Sequence, residues 1–465
     1  MVAPQDAWRR RFSRWGRMNS RPQASRDSRP GVEAEDSMAS RRGWSLIVAV
    51  LAAAACGCGD GDGSGGSSGS FSQGLVFNEA PAGSSADHGQ VVFGIAADGI
   101  HAGNDPDSVF VGFSADAGQN IASNGRTCFT CHRPDANFMI NPLLPLDAHL
   151  PVDDPLINPD NIVADSGGNP DAPQLLNDFG LVLIRPHRFD APPDDPRFQA
   201  FGWRKSMTNL NTIFGHGFLN DLRTADLPST DTGAAMSHTQ DLNAAHNDII
   251  PAQAMDDLAA FQFTLFTDPA LRALAAGPAD PGFARLARQP YATVPAQTAQ
   301  EQRGRAVFDR DCFPCHNVPN VFNNRSHRDP ASGVPIGEGF NIGVAEANML
   351  NLDFRNYDEQ TDAKSAVSLP LVDSTGATVV VELDQDPGLA LITGRLEDLG
   401  KFKVPQLRNL RLGKPYFHDC SAPDLRAVIG YFNSAAYNES ADGRRFPIAM
   451  TAEEQQDLLA FLLLL

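Results

Sequence analysis

The sequence predicts a mainly α-helical fold of two tandem domains with long loops and a small β-hairpin insertion, and three observations predict it. The stretch Cys128-Phe-Thr-Cys131-His132 recurs as Cys312-Phe-Pro-Cys315-His316. Helical segments with capping signals flank the second copy and close the chain. Gly (40) and Pro (34) are abundant for 465 residues, which favours long ordered loops over dense regular structure.

The repeated pentapeptide has the spacing of a c-type haem attachment site. Two thiols three residues apart lie one helical turn from each other and reach the two vinyl groups on one porphyrin edge. The adjoining His projects beneath the ring as the proximal iron ligand. A structural zinc site would want four ligands in paired knuckles, yet these pairs stand about 180 residues apart, each with a His attached. A thiol redox pair has no use for that His in duplicate. Two covalent haems c are therefore expected, in two tandem cytochrome c-type domains.

In chain order, residues 1–55 read as a basic leader with a lipoprotein-type export signal. Ten Arg lie within residues 1–42, the apolar run Leu46–Ala55 is too short to span a bilayer, and small residues precede Cys56. Met38 would start a signal of ordinary length. Residues 56–85 form a Gly/Ser tether. The N-terminal haem domain is expected over 86–275, with a Pro/Asp-rich stretch of loops at 141–200. It closes in a helix opened by Pro251, with Met255, Leu258, Phe261 and Leu265 on one face. The second domain, 296–465, opens on the capping box Thr298/Glu301 ahead of Cys312. It contains a hairpin within 370–385 and ends in a helix capped by Thr451/Glu454. Apart from the haem signatures, no strong repeat links the halves. Cys58 and Cys420 are left over, and no disulfide is indicated.

The net charge of −19 becomes −24 once the first 42 residues are removed. So acidic a body excludes nucleic acid and favours partners with basic patches. Export to the periplasm, with membrane contact only through a lipid on Cys56, completes the expected localisation.

The second half adds specific text: Phe340-Asn-Ile-Gly-Val344, Asp386-Pro-Gly388, the run Phe402-Lys-Val-Pro-Gln-Leu-Arg408-Asn409 through Pro415-Tyr-Phe-His418-Asp419, and Gly430-Tyr-Phe-Asn433. From about residue 120 onward this resembles the bacterial dihaem cytochrome c peroxidase superfamily, which also holds the methylamine dehydrogenase maturation enzyme. The resemblance implies electron entry at the C-terminal haem and an oxygen species bound at the N-terminal one. Hydrogen peroxide or O2 and a small donor, a cytochrome or cupredoxin, are the implied partners.

The chain departs from that family at several positions. Asn220 stands at the inter-haem tryptophan, Gln240 at the distal Glu and Ala234 at a nearby proline; His238 is the candidate substitute for the lost proton shuttle. Phe432 stands where a Met or Tyr axial ligand is implied; either a one-residue adjustment brings Tyr431 onto the iron, or that haem is five-coordinate or takes another ligand. The family's calcium uses two carbonyls, here of Gly413 and Pro415, and an Asn that is here Lys205, whose ammonium argues against calcium. His187 is a candidate sixth ligand of the first haem. Arg223 and Arg408 are candidates for the haem propionates. Peroxide reduction is the expected activity. Oxidation of an organic or protein substrate, and a non-enzymatic carrier or sensor, are the alternatives.

Overall fold

The computed structural model describes residues 68–71, 75–78, 81–96, 99–100, 128, 132–140, 175, 179–184, 200–215, 217–237, 252–324, 327–328, 335–336, 339–350, 352, 354–358 and 363–465. Six helices carry the haem-bearing framework: α1 (Ser85–Phe93), α2 (Leu227–Ser237), α3 (Ala252–Gln262), α4 (Ala299–Asp311), α5 (Leu425–Phe432) and α6 (Ala452–Leu462). The sequence reading passed over α1. Its start is set by Ser84, whose hydroxyl accepts from the Asp87 N–H at 3.2 Å. Both expected capping boxes form. Glu301 takes the Thr298 N–H at 2.8 Å and Glu454 takes the Thr451 N–H at 2.8 Å, while each threonine accepts in return.

Two helix pairs are built alike. α1 lies on α3 and α4 lies on α6, each pair meeting at a glycine. A Cβ on Gly89 would fall 1.8 Å from the Asp257 carbonyl oxygen, and one on Gly304 would fall 1.9 Å from that of Asp457. Only glycine permits so close an approach of two backbones. Four residues after each glycine comes a phenylalanine that packs across the pair. Phe93 meets Phe261 at 5.2 Å between centroids, and Phe308 meets Phe461 at 5.3 Å.

The likeness extends beyond the helices and corrects the expectation that only the haem signatures repeat. Short 3-10 turns occur at Thr212–Phe214 and Leu410–Leu412. Each follows an Asn in the left-handed region, with φ 57° at Asn211 and 53° at Asn409. Then come matching loops closed by the bridges Phe218–Thr224 and Tyr416–Ala422. Next, Asp226 and Asp424 cap α2 and α5 at 2.8 and 2.9 Å. Each member of these pairs lies 198 residues after its counterpart. The Asn N–H groups end on matching carbonyls, Asn211 on Leu265 at 2.8 Å and Asn409 on Leu465 at 2.6 Å.

Each half has its own core. Val92, Phe93, Phe138, Leu210, Met255 and Phe261 are among the residues that form the first. Phe308, Phe322, Leu425, Ile429, Leu458 and Phe461 belong to the second. A bridging cluster sets Phe214, Phe266 and Leu271 against Val318 and Val321.

The sheet structure is small. Strands β1 (Leu181–Ile184), β2 (Ala200–Lys205), β3 (Arg355–Asp358) and β4 (Ala363–Ser365) form one sheet in the order β4-β3-β2-β1. The expected hairpin is β5 (Val367–Val372) with β6 (Thr378–Leu383). Alternation buries Val367, Leu369 and Leu371 in a separate apolar cluster with Leu383 and Phe354.

Candidate haem sites

Both predicted proximal histidines sit in the same local trap. The backbone N–H of His132 bonds the Cys128 carbonyl at 2.8 Å, and that of His316 bonds Cys312 at 3.0 Å, so a helical turn carries each thiol onto the ligand. Six residues on, the chain doubles back through left-handed residues, Asn137 and Phe138 in one half and Asn320 and Phe322 in the other. The carbonyls of Phe138 and Phe322 thereby meet Nδ1 of His132 and His316, each at 2.8 Å. A carbonyl can only accept, so Nδ1 carries the hydrogen and Nε2 the lone pair. Burial lowers both imidazole pKa values, that of His316 to about 4, which keeps the neutral, ligating form. Burial pushes the Cys312 thiol up to about 12. This donor set fits a covalent haem at each histidine. Cys131, Gln240, His238, His187 and Cys56 lie outside the described residues; α2 ends at Ser237, just before that distal segment.

Arg408 is buried. Its Nε donates to the Thr267 hydroxyl at 3.3 Å and Nη1 to the Thr293 hydroxyl at 3.2 Å, with the Asp268 carboxylate 3.8 Å from Nη2. Burial lowers it to about 10. Hydroxyl partners and one distant carboxylate leave this guanidinium able to take a further anion, as a propionate partner requires. Arg223 donates to Asp221 at 3.0 Å instead, and Asp221 also takes Arg204 at 2.5 Å. Arg204 is a residue that sequence reasoning missed: 1% exposed, it holds Asp386 through Nε (2.6 Å) and Nη2 (2.7 Å). The guanidinium keeps both carboxyls ionised against their burial, and both pKa values lie below the ordinary range.

Where the two halves meet, two lysines are exchanged. The ammonium of Lys205 donates to the carbonyls of Gly413 and Pro415, the pair the resemblance assigns to calcium. Lys403, its counterpart 198 residues on, donates to the Gly217 carbonyl at 2.7 Å in the opposite direction. Each ammonium also faces the matching ring of the other half, Tyr416 at 5.6 Å and Phe218 at 5.2 Å. Backbone bonds repeat the exchange, Lys205 N–H to His418 (2.7 Å) and Lys403 N–H to Asn220 (2.8 Å). Asn220, at the expected inter-haem position, thus sits opposite His418, whose ring stacks on Phe402 at 3.6 Å. The signal for this clasp was present in the sequence as two lysines, but nothing in the residue types says they trade places.

Tyr431 is buried and its hydroxyl donates to the Ile342 carbonyl at 2.8 Å, with its ionisation pushed up by burial. Phe432 packs on Phe417 and Tyr437.

No family model matches the chain. A cytochrome-c peroxidase (IdrP1) of Denitromonas iodatirespirans is 26% identical over 169 residues, 36% of this chain and 40% of that protein. A second (IdrP2), from Pseudomonas sp. (strain SCT), is 28% identical over 172 residues, 37% of this chain and 40% of that protein. The match therefore spans about two fifths of the length of these curated relatives. Over this stretch the chain is similar to cytochrome-c peroxidases. Among solved structures, a MauG-like protein associated with microbial copper homeostasis is similar to this chain at TM-score 0.42 and 18% identity. That likeness covers 83% of this chain and 89% of that one. A diheme peroxidase from Burkholderia thailandensis gives TM-score 0.36 and 16% identity, over 81% of this chain and 84% of that one.

Proposed function

We propose that this protein is a member of the dihaem cytochrome c peroxidase superfamily, an exported dihaem c oxidoreductase that reduces hydrogen peroxide with electrons from a small redox protein. Bound haems would supply electron storage at the C-terminal iron and peroxide reduction at the N-terminal iron. The observation that carries the reading is the pair of matched histidine traps, each with Nδ1 pinned by a carbonyl and Nε2 left to ligate.

The chain's own residues perform the remaining tasks. Cys128, Cys131, Cys312 and Cys315 would form the thioethers. The Phe138 and Phe322 carbonyls orient the rings and make the imidazoles better donors. Arg408 offers a buried cation to a propionate. Reduction of one peroxide consumes two electrons and two protons and yields two waters. Those protons must come through residues other than a distal Glu. His238 is proposed for the transfer and Gln240 for hydrogen bonding to the peroxide. Lys205 supplies the positive charge at the Gly413 and Pro415 carbonyls, so no calcium is required there.

A second reading, haem-based oxidation of an organic or protein substrate with peroxide or O2, is favoured by two residues. Asn220 stands at the inter-haem tryptophan and Gln240 at the distal carboxylate. Export with a lipid on Cys56 is part of the proposal and rests on the leader sequence.

One experiment separates the readings. The holoprotein, matured with both haems, is given one equivalent of hydrogen peroxide and a reduced cytochrome. Rapid oxidation of the cytochrome is expected. A long-lived oxidised species without turnover would favour the second reading, and no reaction with peroxide, O2 or carbon monoxide would defeat both.

A further inference from the structure

Asp231 is the feature of the N-terminal half that its sister half does not explain. It lies in α2, 8% exposed, and its Oδ2 accepts from Nε2 of Gln262 on α3 at 2.7 Å. The counterparts of these two residues in the C-terminal half are Ile429 on α5 and Leu462 on α6, both buried in hydrocarbon. The helix packing thus needs only two apolar side chains at this place. A buried carboxyl and amide cost desolvation that one hydrogen bond offsets only in part.

Four other buried aspartates have cations. Asp221 has Arg204, Asp398 has Lys401, Asp442 has Arg445, and Asp457 has Arg303. Among the described residues Asp231 has no such partner. The charged group that acts on it is another carboxylate, Asp226, at the start of the same helix. Burial and Asp226 both favour the neutral acid, and the amide bond of Gln262 opposes them less strongly. One turn further along α2, Ala235 belongs to the apolar cluster against which Cys128 packs, and Phe261, next to Gln262 on α3, belongs to it too.

We propose that Asp231 is a proton-holding site coupled to the redox state of the N-terminal half. When the haem on His132 takes one electron from a small redox protein, Asp231 takes one proton from water; both are released on oxidation. The physical basis is electrostatic. In a poorly screened core an added electron favours the neutral carboxylic acid and its loss favours the carboxylate. A proton stored beside the site is also one of the two that peroxide reduction consumes. This deepens the proposed function and rests on it only in requiring a redox-active N-terminal haem.

The test is spectroelectrochemical titration of the dihaem holoprotein from about pH 5 to about pH 9, the range in which a raised buried carboxyl ionises. One haem potential is expected to fall with pH over part of that range, with a slope of up to about 59 mV per unit for one proton per electron. Asp231→Asn keeps a polar partner for Gln262 and should flatten the slope, whereas Asp231→Glu should keep it. A slope unchanged in Asp231→Asn, or no slope in the wild type, overturns the proposal. Should the variants fail to fold, the wild type alone decides through its reduced-minus-oxidised infrared spectrum. A carboxylic C=O band that shifts in heavy water supports the site, and no such band overturns it. Peroxide turnover is read separately. Its absence beside an intact slope defeats the peroxidase reading and leaves Asp231 supported.

Discussion

The N-terminal and C-terminal halves use one backbone plan and fill it with different chemistry. Helix pairs meeting at glycine, left-handed asparagines, capped second helices and histidine traps recur in both. The fillings diverge. Asp231 and Gln262 replace Ile429 and Leu462, Arg204 with its two aspartates replaces Phe402 stacked on His418, and Asn220 replaces His418 itself. The plan offers two histidine traps. The differences give those traps unlike surroundings, as the proposed division between electron storage and peroxide reduction requires.

The comparison breaks most visibly at Arg204. Arg204→Met leaves Asp386 buried without its guanidinium and Asp221 with Arg223 alone, and should cost about 3–5 kcal/mol in chemical denaturation. The sign with pH follows from carboxyls held below their ordinary values. Their stabilisation is complete above the unfolded carboxylate pKa and is lost as pH falls through the folded values. The variant should therefore lose part of the wild type's acid sensitivity. An unchanged acid profile would mean that the cluster is not the source.

The shared plan is tested by the two glycines. Gly89→Ala and Gly304→Ala each force a methyl into an opposing carbonyl and should each cost about 1–3 kcal/mol or more. If one variant is tolerated and the other is not, the helix pairs are not equivalent.

The exchanged lysines sharpen the comparison further. Lys205→Met and Lys403→Met should each cost about 1–2 kcal/mol, because the carbonyls of Gly413 and Pro415 or of Gly217 lose their charged donor. Burial lowers both lysines to about 8. An unfolded lysine stays protonated to about 10.4, so between those values the unfolded chain binds more protons and stability rises with pH. The rise should be missing from the double variant in a melting-temperature series. Added calcium should leave the wild-type melting temperature unmoved, and a clear increase would remove the role given to Lys205.

The sequence by itself determined the chemistry that resides in contiguous residues: the two attachment motifs, both capping boxes, the hairpin and the closing helix. Each is local, so a few side chains at fixed spacing suffice to specify it. It hid the repeat, because matched positions share backbone angles more than identities. Leu219 and Leu222 adopt the left-handed conformation that Phe417 and Cys420 adopt, and no residue type announces it. Unequal spacing hid it further, since Gly89 and Gly304 are farther apart than Lys205 and Lys403. Only the tertiary structure decided that Lys205 and Lys403 cross between halves, that Arg204 gathers two distant aspartates, and that Tyr431 gives its hydroxyl to Ile342. Those bonds join residues from about 15 to more than 200 positions apart, and their partners become neighbours only when desolvation drives two apolar cores together.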